Sequence, residues 1–286
     1  MSMKATPIRL GYITNGLTNH RLLDAIDLLA DCGYDGVAIT LDHHHLDPFA
    51  HDLGHQLALI SARLDHYGFG VVVETGARYL LSAQEKHQPT LLSTDGRDRR
   101  LDLLRRAIVI GAELGAEAVS FWSGTPEPDV PFATSWDRLV RGCSELVDAA
   151  DRYGVRLGFE PEPGMLVDRL SAYEKLLAEL GSPVTLGLTL DIGHCRCLED
   201  EPIEACVRGH ARQLAQVHIE DMRRGVHDHL FFGEGEIDFP PVLDALREVG
   251  YRGLVSVELS RHSHDAHAVV PEAERFLRQA ADRAAP

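Results

Sequence analysis

Four side chains that could together bind a single metal ion lie at the ends of four short apolar runs. They are Glu160, Asp191, His218 and Glu258, and the runs that precede them span residues 155–159, 184–190, 214–217 and 254–257. Runs of this length and composition are typical of parallel strands buried on both faces. If these strands belong to one barrel, their C-terminal ends meet at the face where such folds carry out chemistry. Three carboxylates and one imidazole at that face form a mixed oxygen and nitrogen site for a divalent ion.

The rest of the chain supplies the elements that would position these side chains. Further strands are expected at residues 8–13, 37–40, 70–74 and 118–122. Helices are expected near residues 20–32, 52–67, 99–114, 136–153, 169–180, 203–214, 240–249 and 271–282. Strands that alternate with helices predict a parallel sheet. Eight such units favour an α/β fold with a single (β/α)8 TIM barrel over residues 1–286. An open doubly wound sheet is the alternative, although no glycine-rich dinucleotide motif follows the first strand.

The charge and cysteine content exclude several classes of partner. The chain has 44 Asp and Glu against 28 Lys and Arg, a net charge of −16. Such a chain repels polyanions, so sequence-independent nucleic-acid binding is not expected. No apolar run reaches the roughly 18 residues of a membrane span, and residues 1–6 contain no apolar signal segment. The five cysteines are scattered and odd in number, which indicates free thiols in a reducing cytosol and therefore a cytoplasmic location.

One long segment, residues 75–98, joins the third strand to the third helix on the expected catalytic face. Segments of this length are often lids or binding loops. This one carries Arg78, Lys86, His87 and Arg97, which could hold an anionic group on a substrate. A solvated surface excursion is the alternative interpretation.

Five short motifs, taken in their order along the chain, resemble the xylose isomerase-like TIM-barrel superfamily, the sugar phosphate isomerase/epimerase group. They are Phe-Glu-Pro-Glu-Pro-Gly at 159–164, Leu-Asp-Ile-Gly-His at 190–194, Val-His-Ile-Glu-Asp at 217–221, Phe-Gly-Glu-Gly-Glu-Ile-Asp-Phe at 232–239, and Gly-Tyr-Arg-Gly at 250–253 leading to Val-Glu at 257–258. The resemblance implies one divalent ion held by Glu160, Asp191, His218 and Glu258. Mn2+, Co2+ or Mg2+ is the expected ion, and Zn2+ is an alternative. Glu162 is a rival for Glu160, but it lies beyond the apolar run, between two prolines.

The chemistry of such a site begins with removal of a proton next to a carbonyl. A divalent ion that chelates the carbonyl and hydroxyl oxygens stabilises the enediolate, while a base takes the proton and an acid returns it. The resemblance implies that Glu160 and Glu258 form this pair in an isomerase or epimerase of a ketose, cyclitol or related polyol. It also implies that His194 contacts substrate oxygens. Trp122 and Glu74, at the ends of strands four and three, are further candidates for substrate binding, with core packing as the alternative for Trp122.

Other functions stay open on the sequence alone. A dehydratase on the same scaffold would start with the same proton abstraction and then expel a hydroxyl as water. A zinc hydrolase of the endonuclease type is less favoured, because that branch uses an Asp-x-His pair where Asp228 and His229 are adjacent here. A binding module without turnover is the third alternative. The histidines at 43–45 could add ligands for a second metal or hydrogen bonds to substrate, with a polar loop as the alternative. Those at 262, 264 and 267 could reach the mouth of the barrel or be solvated. Family members are often dimers or tetramers, so a homo-oligomer is compatible with the resemblance.

Overall fold

Ten strands form in residues 7–283, the part of the chain that the computed structural model describes. In chain order they are Arg9–Ile13 (β1), Gly36–Thr40 (β2), Gly70–Glu74 (β3), Val119–Trp122 (β4), Leu157–Glu160 (β5), Leu186–Asp191 (β6), Leu214–Ile219 (β7), Asp221–Arg223 (β8), Val226–Leu230 (β9) and Leu254–Val257 (β10). All except β8 and β9 form one closed parallel barrel, in which β10 lies between β7 and β1. The expected (β/α)8 barrel is therefore confirmed. Residues 1–6 and 284–286 of the expected domain lie outside the described range.

Nine α-helices connect and cover these strands within the same range. They are Leu22–Asp31 (α1), Leu53–Tyr67 (α2), Arg97–Leu114 (α3), Phe132–Tyr153 (α4), Leu170–Glu179 (α5), Ile192–Leu198 (α6), Ile203–Gly209 (α7), Phe239–Glu248 (α8) and Ala266–Arg283 (α9). Strand β2 is buried at all five positions, because helices cover its outer face and side chains fill the barrel. None of the described helices has both the length and the apolar content needed to cross a bilayer.

Some boundaries differ from the expectation for local reasons. The helix expected at 203–214 ends at Gly209, because Leu214 already belongs to β7. The helix expected from residue 271 begins at Ala266, and Pro271 lies inside it without ending it. Helix α6, with seven residues, and the β8–β9 hairpin are not predicted by the pattern, because neither is long enough to display a periodicity.

The barrel interior changes from apolar to polar toward the C-terminal ends of the strands. Side chains two residues apart share a face, so Val72 and Glu74 both point to the same side of β3. A separate apolar cluster of buried residues is formed by Ile13, Ala38, Val72, Ala118, Ala215 and Leu254. Further along, the buried hydroxyl groups of Ser120 and Thr189 lie 3.0 Å apart. The barrel interior therefore contains an apolar layer, followed by a polar layer beneath the charged residues at the C-terminal strand ends.

Candidate metal centre and substrate pocket

The four side chains expected to share an ion lie together at the C-terminal face of the barrel. Glu160 ends β5, Asp191 ends β6, His218 lies in β7, and Glu258 follows β10 directly. One ligand atom from each lies within 4.8 Å of the others. His218 Nδ1 is 3.0 Å from Glu160 Oε1, 3.3 Å from Glu258 Oε2 and 3.8 Å from Asp191 Oδ2. The geometry therefore fits the expected ligand set, with Nδ1 as the imidazole donor.

The electrostatics of this cluster fit a cation. Burial would lower the pKa of His218, but Glu160 and Glu74 raise it well above its ordinary value. Burial raises the pKa of Glu160 despite His218. Asp191 Oδ2 is buried and has no hydrogen-bond partner among the described residues. Crowded, buried carboxylates with an unsatisfied oxygen are costly unless a positive charge neutralises them. These residues therefore suit a divalent ion.

Glu74, expected to contact substrate, lies beside the imidazole of His218. Its Oε1 is 3.0 Å from His218 Nε2 and accepts a hydrogen bond from Gln216 Nε2 at 2.5 Å. Glu74 is only 7% exposed and also lines the pocket. A carboxylate on the second nitrogen of a ligating histidine fixes its tautomer and the orientation of its ring. The structure thus gives Glu74 an orienting contact, and its contact with substrate stays a prediction.

Helix α6 begins directly after β6 and positions His194. Asp191 caps the helix, because its Oδ1 accepts a hydrogen bond of 2.8 Å from the His194 backbone N–H. The other oxygen of Asp191 is left for the metal centre. His194 Nδ1 donates to the Pro161 carbonyl at 3.1 Å. This bond leaves Nε2 as the nitrogen that faces the pocket residue His227, 3.1 Å away.

A second group of imidazoles adjoins the metal centre. One nitrogen from each of His194, His227 and His229 lies within 4.8 Å of the others, which is ligand geometry for a metal such as Zn2+. Asp228 and His229 are adjacent in the sequence, whereas His227 and His229 share a face of β9. The signal that could have found them is the two-residue period of a strand. Burial and the neighbouring imidazoles lower the pKa of His227 to about 4.

Gly193 in α6 lies close to Glu220, the residue that follows β7. A Cβ on Gly193 would lie 2.1 Å from Glu220 Oε1. Glu220 is buried, and neither carboxylate oxygen has a hydrogen-bond partner among the described residues. Burial, together with Asp191, raises the pKa of Glu220 well above its usual range. The close approach therefore depends on the missing side chain of Gly193.

A pocket of about 300 Å³ opens above the metal centre. Trp122 lines it, with its ring 4.7 Å from the guanidinium carbon of Arg100 and 5.4 Å from the ring of His87. Glu162 also lines it, which places the rival carboxylate beside the four-residue group rather than within it. Burial, with Glu160 nearby, raises the pKa of Glu162 well above its usual range.

Other residues singled out in the sequence lie away from this pocket. Arg97 donates to the carbonyls of Leu91 and Arg138. His45 is buried against the Leu17 carbonyl, and the ring of His267 meets that of His20 in an edge-to-face contact. The clusters at 43–45 and 262–267 do not line the pocket. All five cysteines are free, as expected.

Comparison with known proteins agrees with the fold and the motifs. Rhizopine catabolism protein MocC of Rhizobium meliloti is 30% identical over 149 residues, which is 46% of this chain and 45% of that protein. Inosose dehydratase of Lactiplantibacillus plantarum is 26% identical over 53% of this chain and 57% of its own length. The chain thus aligns with about half the length of these two relatives. L-ribulose-5-phosphate 3-epimerase UlaE of Escherichia coli is 24% identical over 90% of this chain and 88% of that protein.

A solved structure and a family model extend the agreement to nearly the whole chain. The structure of L-ribulose 3-epimerase superposes with a TM-score of 0.76 and 21% identity, covering 97% of this chain and 96% of that chain. At that identity the likeness shows the fold. The family model described as xylose isomerase-like TIM barrel matches residues 26–280. The chain therefore belongs to the xylose isomerase-like TIM-barrel family.

Proposed function

We propose that this protein is a divalent-metal-dependent isomerase or epimerase that moves a proton next to the carbonyl of a ketose, cyclitol or related polyol. The observation that carries the proposal is the buried group of Glu160, Asp191, His218 and Glu258, with one ligand atom from each within 4.8 Å of the others. Mn2+, Co2+ or Mg2+ is the expected ion, because hard carboxylate oxygens dominate the set. When bound, the ion polarises the substrate carbonyl and stabilises the negative charge that develops on proton removal.

The proton transfers are assigned to Glu160 and Glu258. Both carboxylates line the pocket and approach the same nitrogen of His218, at 3.0 and 3.3 Å. Burial would raise the pKa of Glu258, but His229 and His218 hold it well below its usual range. Burial raises the pKa of Glu160. Two carboxyls whose environments separate their pKa values suit an acid and a base.

Three further side chains are assigned to binding and orienting the substrate. His194 presents Nε2 to the pocket, since its Nδ1 is held by the Pro161 carbonyl. Glu162 lines the pocket, and its carboxyl, whose pKa is raised by burial, is assigned a hydrogen bond to a substrate oxygen. Trp122 offers an apolar wall for the C–H face of a sugar. Glu74 orients His218 and is retained as a candidate contact to the substrate.

A dehydratase is the second candidate. It is supported by the match to inosose dehydratase, and it needs the same proton abstraction followed by loss of a hydroxyl as water. A zinc hydrolase is a weaker third candidate, supported only by the adjoining group of three imidazoles. The number of bound ions and the mass of the product separate these candidates.

The experiment begins with metal content per chain, measured on protein purified without chelator or nickel. Ketoses and cyclitols are then screened for metal-dependent uptake of deuterium from D2O, with product mass followed in parallel. Glu258→Gln should retain a measurable fraction of the metal and lose exchange, whereas Glu145→Gln, on the exposed surface, should behave like the parent. A fully active Glu258→Gln protein would refute the assignment. Loss of water in the product would select the dehydratase, and two or more zinc ions would select the hydrolase.

A further inference from the structure

Three cationic side chains line the same pocket as the candidate metal ligands. They are Arg78, Lys86 and Arg261. Arg261 is paired with Asp228. Neither Arg78 nor Lys86 forms an ion pair with any carboxylate of residues 7–283. Two positive charges in this pocket are therefore left without a carboxylate partner from the described part of the protein.

The backbone around these two cations is held in place by Arg100. Its guanidinium is buried and donates to three carbonyls, those of Thr75 at 3.1 Å, His87 at 2.7 Å and Pro89 at 2.8 Å. His87 adds two hydrogen bonds within the segment. Its Nδ1 donates to the Gly76 carbonyl at 2.7 Å, and its backbone N–H donates to the Arg78 carbonyl at 2.6 Å. The buried guanidinium of Arg100 thus cross-links three backbone carbonyls of residues 75–89. The loop therefore presents its cations to the pocket from a fixed backbone.

Arg78 lies close to the metal centre through a short chain of contacts. Its Nη2 donates to the Asn15 carbonyl at 3.2 Å and lies 3.4 Å from the Ser260 carbonyl. The side chain of Asn15 in turn donates to Glu258 Oε1 at 2.9 Å. These contacts use one of the three guanidinium nitrogens, so Nε and Nη1 of Arg78 have no partner among the described residues. A guanidinium with free donors binds phosphate and carboxylate groups through paired hydrogen bonds.

We propose that the substrate of this pocket is a sugar or polyol that carries an anionic group, phosphate or carboxylate, bound by Arg78 and Lys86. The inference rests on the proposed function for the position of the reacting carbon. The chain carries a net charge of −16, and the carboxyl groups of Glu160 and Glu258 line the pocket, so an anion would be repelled without local cations. If the cations served only to balance these carboxylates, they would pair with them, and they do not.

The test measures binding of three polyols that share one carbon skeleton and do not exchange protons. Ribitol, ribitol 5-phosphate and ribonate are titrated by calorimetry into the metal-loaded protein. The parent should bind one or both anionic polyols about 10- to 100-fold more tightly than ribitol, as charge-assisted hydrogen bonds predict. The stronger of the two anions identifies the source of the charge. In the double variant Arg78→Gln, Lys86→Gln the preference should fall to within threefold, whereas Arg105→Gln, on the exposed face of α3, should keep it.

Each outcome decides the proposal. Equal or undetectable binding of all three polyols by the parent overturns it, and so does a preference that survives in the double variant, since the anion would then be bound by the ion itself. Metal content is measured on the same samples. Loss of metal binding with an intact anion preference would refute the proposed isomerase and leave the anionic subsite standing, so the two failures are distinguishable.

Discussion

Replacing Glu74 with alanine should weaken metal binding, although Glu74 is not one of the four expected ligands. The carboxylate is buried and lies 3.0 Å from Nε2 of His218, whose Nδ1 faces the metal centre. Without it, the proton of the neutral ring is free to occupy Nδ1, and the ring is free to turn. Loss of such an outer carboxylate typically costs 10- to 100-fold in metal affinity. We therefore expect a loss of about 1.4–2.7 kcal/mol in the free energy of Mn2+ binding.

The assay is calorimetric titration of chelator-treated protein with Mn2+, repeated with Co2+ and followed by visible absorption. Glu74→Gln keeps the size of the side chain and one acceptor oxygen, so it should lose less affinity than alanine, because a neutral hydrogen bond is roughly half as strong as a charge-assisted one. Glu145→Gln is the surface control. Thermal unfolding without metal checks that each variant folds. If the alanine variant binds Mn2+ within twofold of the parent, Glu74 does not orient the ligand and the reasoning fails.

Three other predictions concern the centre and its surroundings. Mn2+ affinity should rise about tenfold per pH unit between pH 6 and 7.5, and calorimetry should show the release of one proton on binding. The reason is that the pKa of His218 is raised, so its proton must leave before the nitrogen can bind an ion. An affinity that does not change with pH would contradict this. Gly193→Ala should lower the free energy of unfolding, measured by urea denaturation, by about 1–3 kcal/mol, because the new Cβ would lie 2.1 Å from Glu220 Oε1. Gly209→Ala is the control and should not lower it, because the space around Gly209 is open. Arg100→Met should speed hydrogen exchange across residues 75–90, because three carbonyls lose their donor; unchanged exchange there would show that the loop does not depend on it.

The expected metal ligands could be picked out in the sequence because each lies at or directly beside the C-terminal end of a strand. An apolar run marks the strand, and the first charged residue after it marks the C-terminal face of a barrel. Glu160 and Asp191 end their strands in the structure as expected. The contact between Glu74 and His218 could not be found in this way. It joins β3 to β7 across the barrel, over a separation of 144 residues, and no local pattern carries that information.

In the loops, the sequence pattern does not indicate which side chains face the pocket. Arg78 and Arg97 belong to the same segment and look equivalent in the sequence, yet Arg78 lines the pocket and Arg97 begins α3 and turns toward the carbonyl of Arg138. The sequence pattern does not predict that His227 and His229 share a face, because β9 is short and half exposed and so lacks the apolar alternation that marks a strand. Side-chain direction in loops and short hairpins depends on tertiary contacts, which a single sequence does not display.

Closure of the barrel by its first and last strands has a consequence for synthesis of the chain. Arg9 in β1 pairs with Leu254 in β10, which comes 245 positions later in the chain. At roughly 5–20 residues per second, about 12–50 seconds pass on the ribosome between the appearance of one partner and that of the other. During that interval β1 has an unpaired edge, and Glu258 has not yet joined the other three expected ligands. The nascent chain therefore cannot assemble the four-residue centre until residue 258 has been made, and that delay is when a chaperone that covers strand edges would matter most.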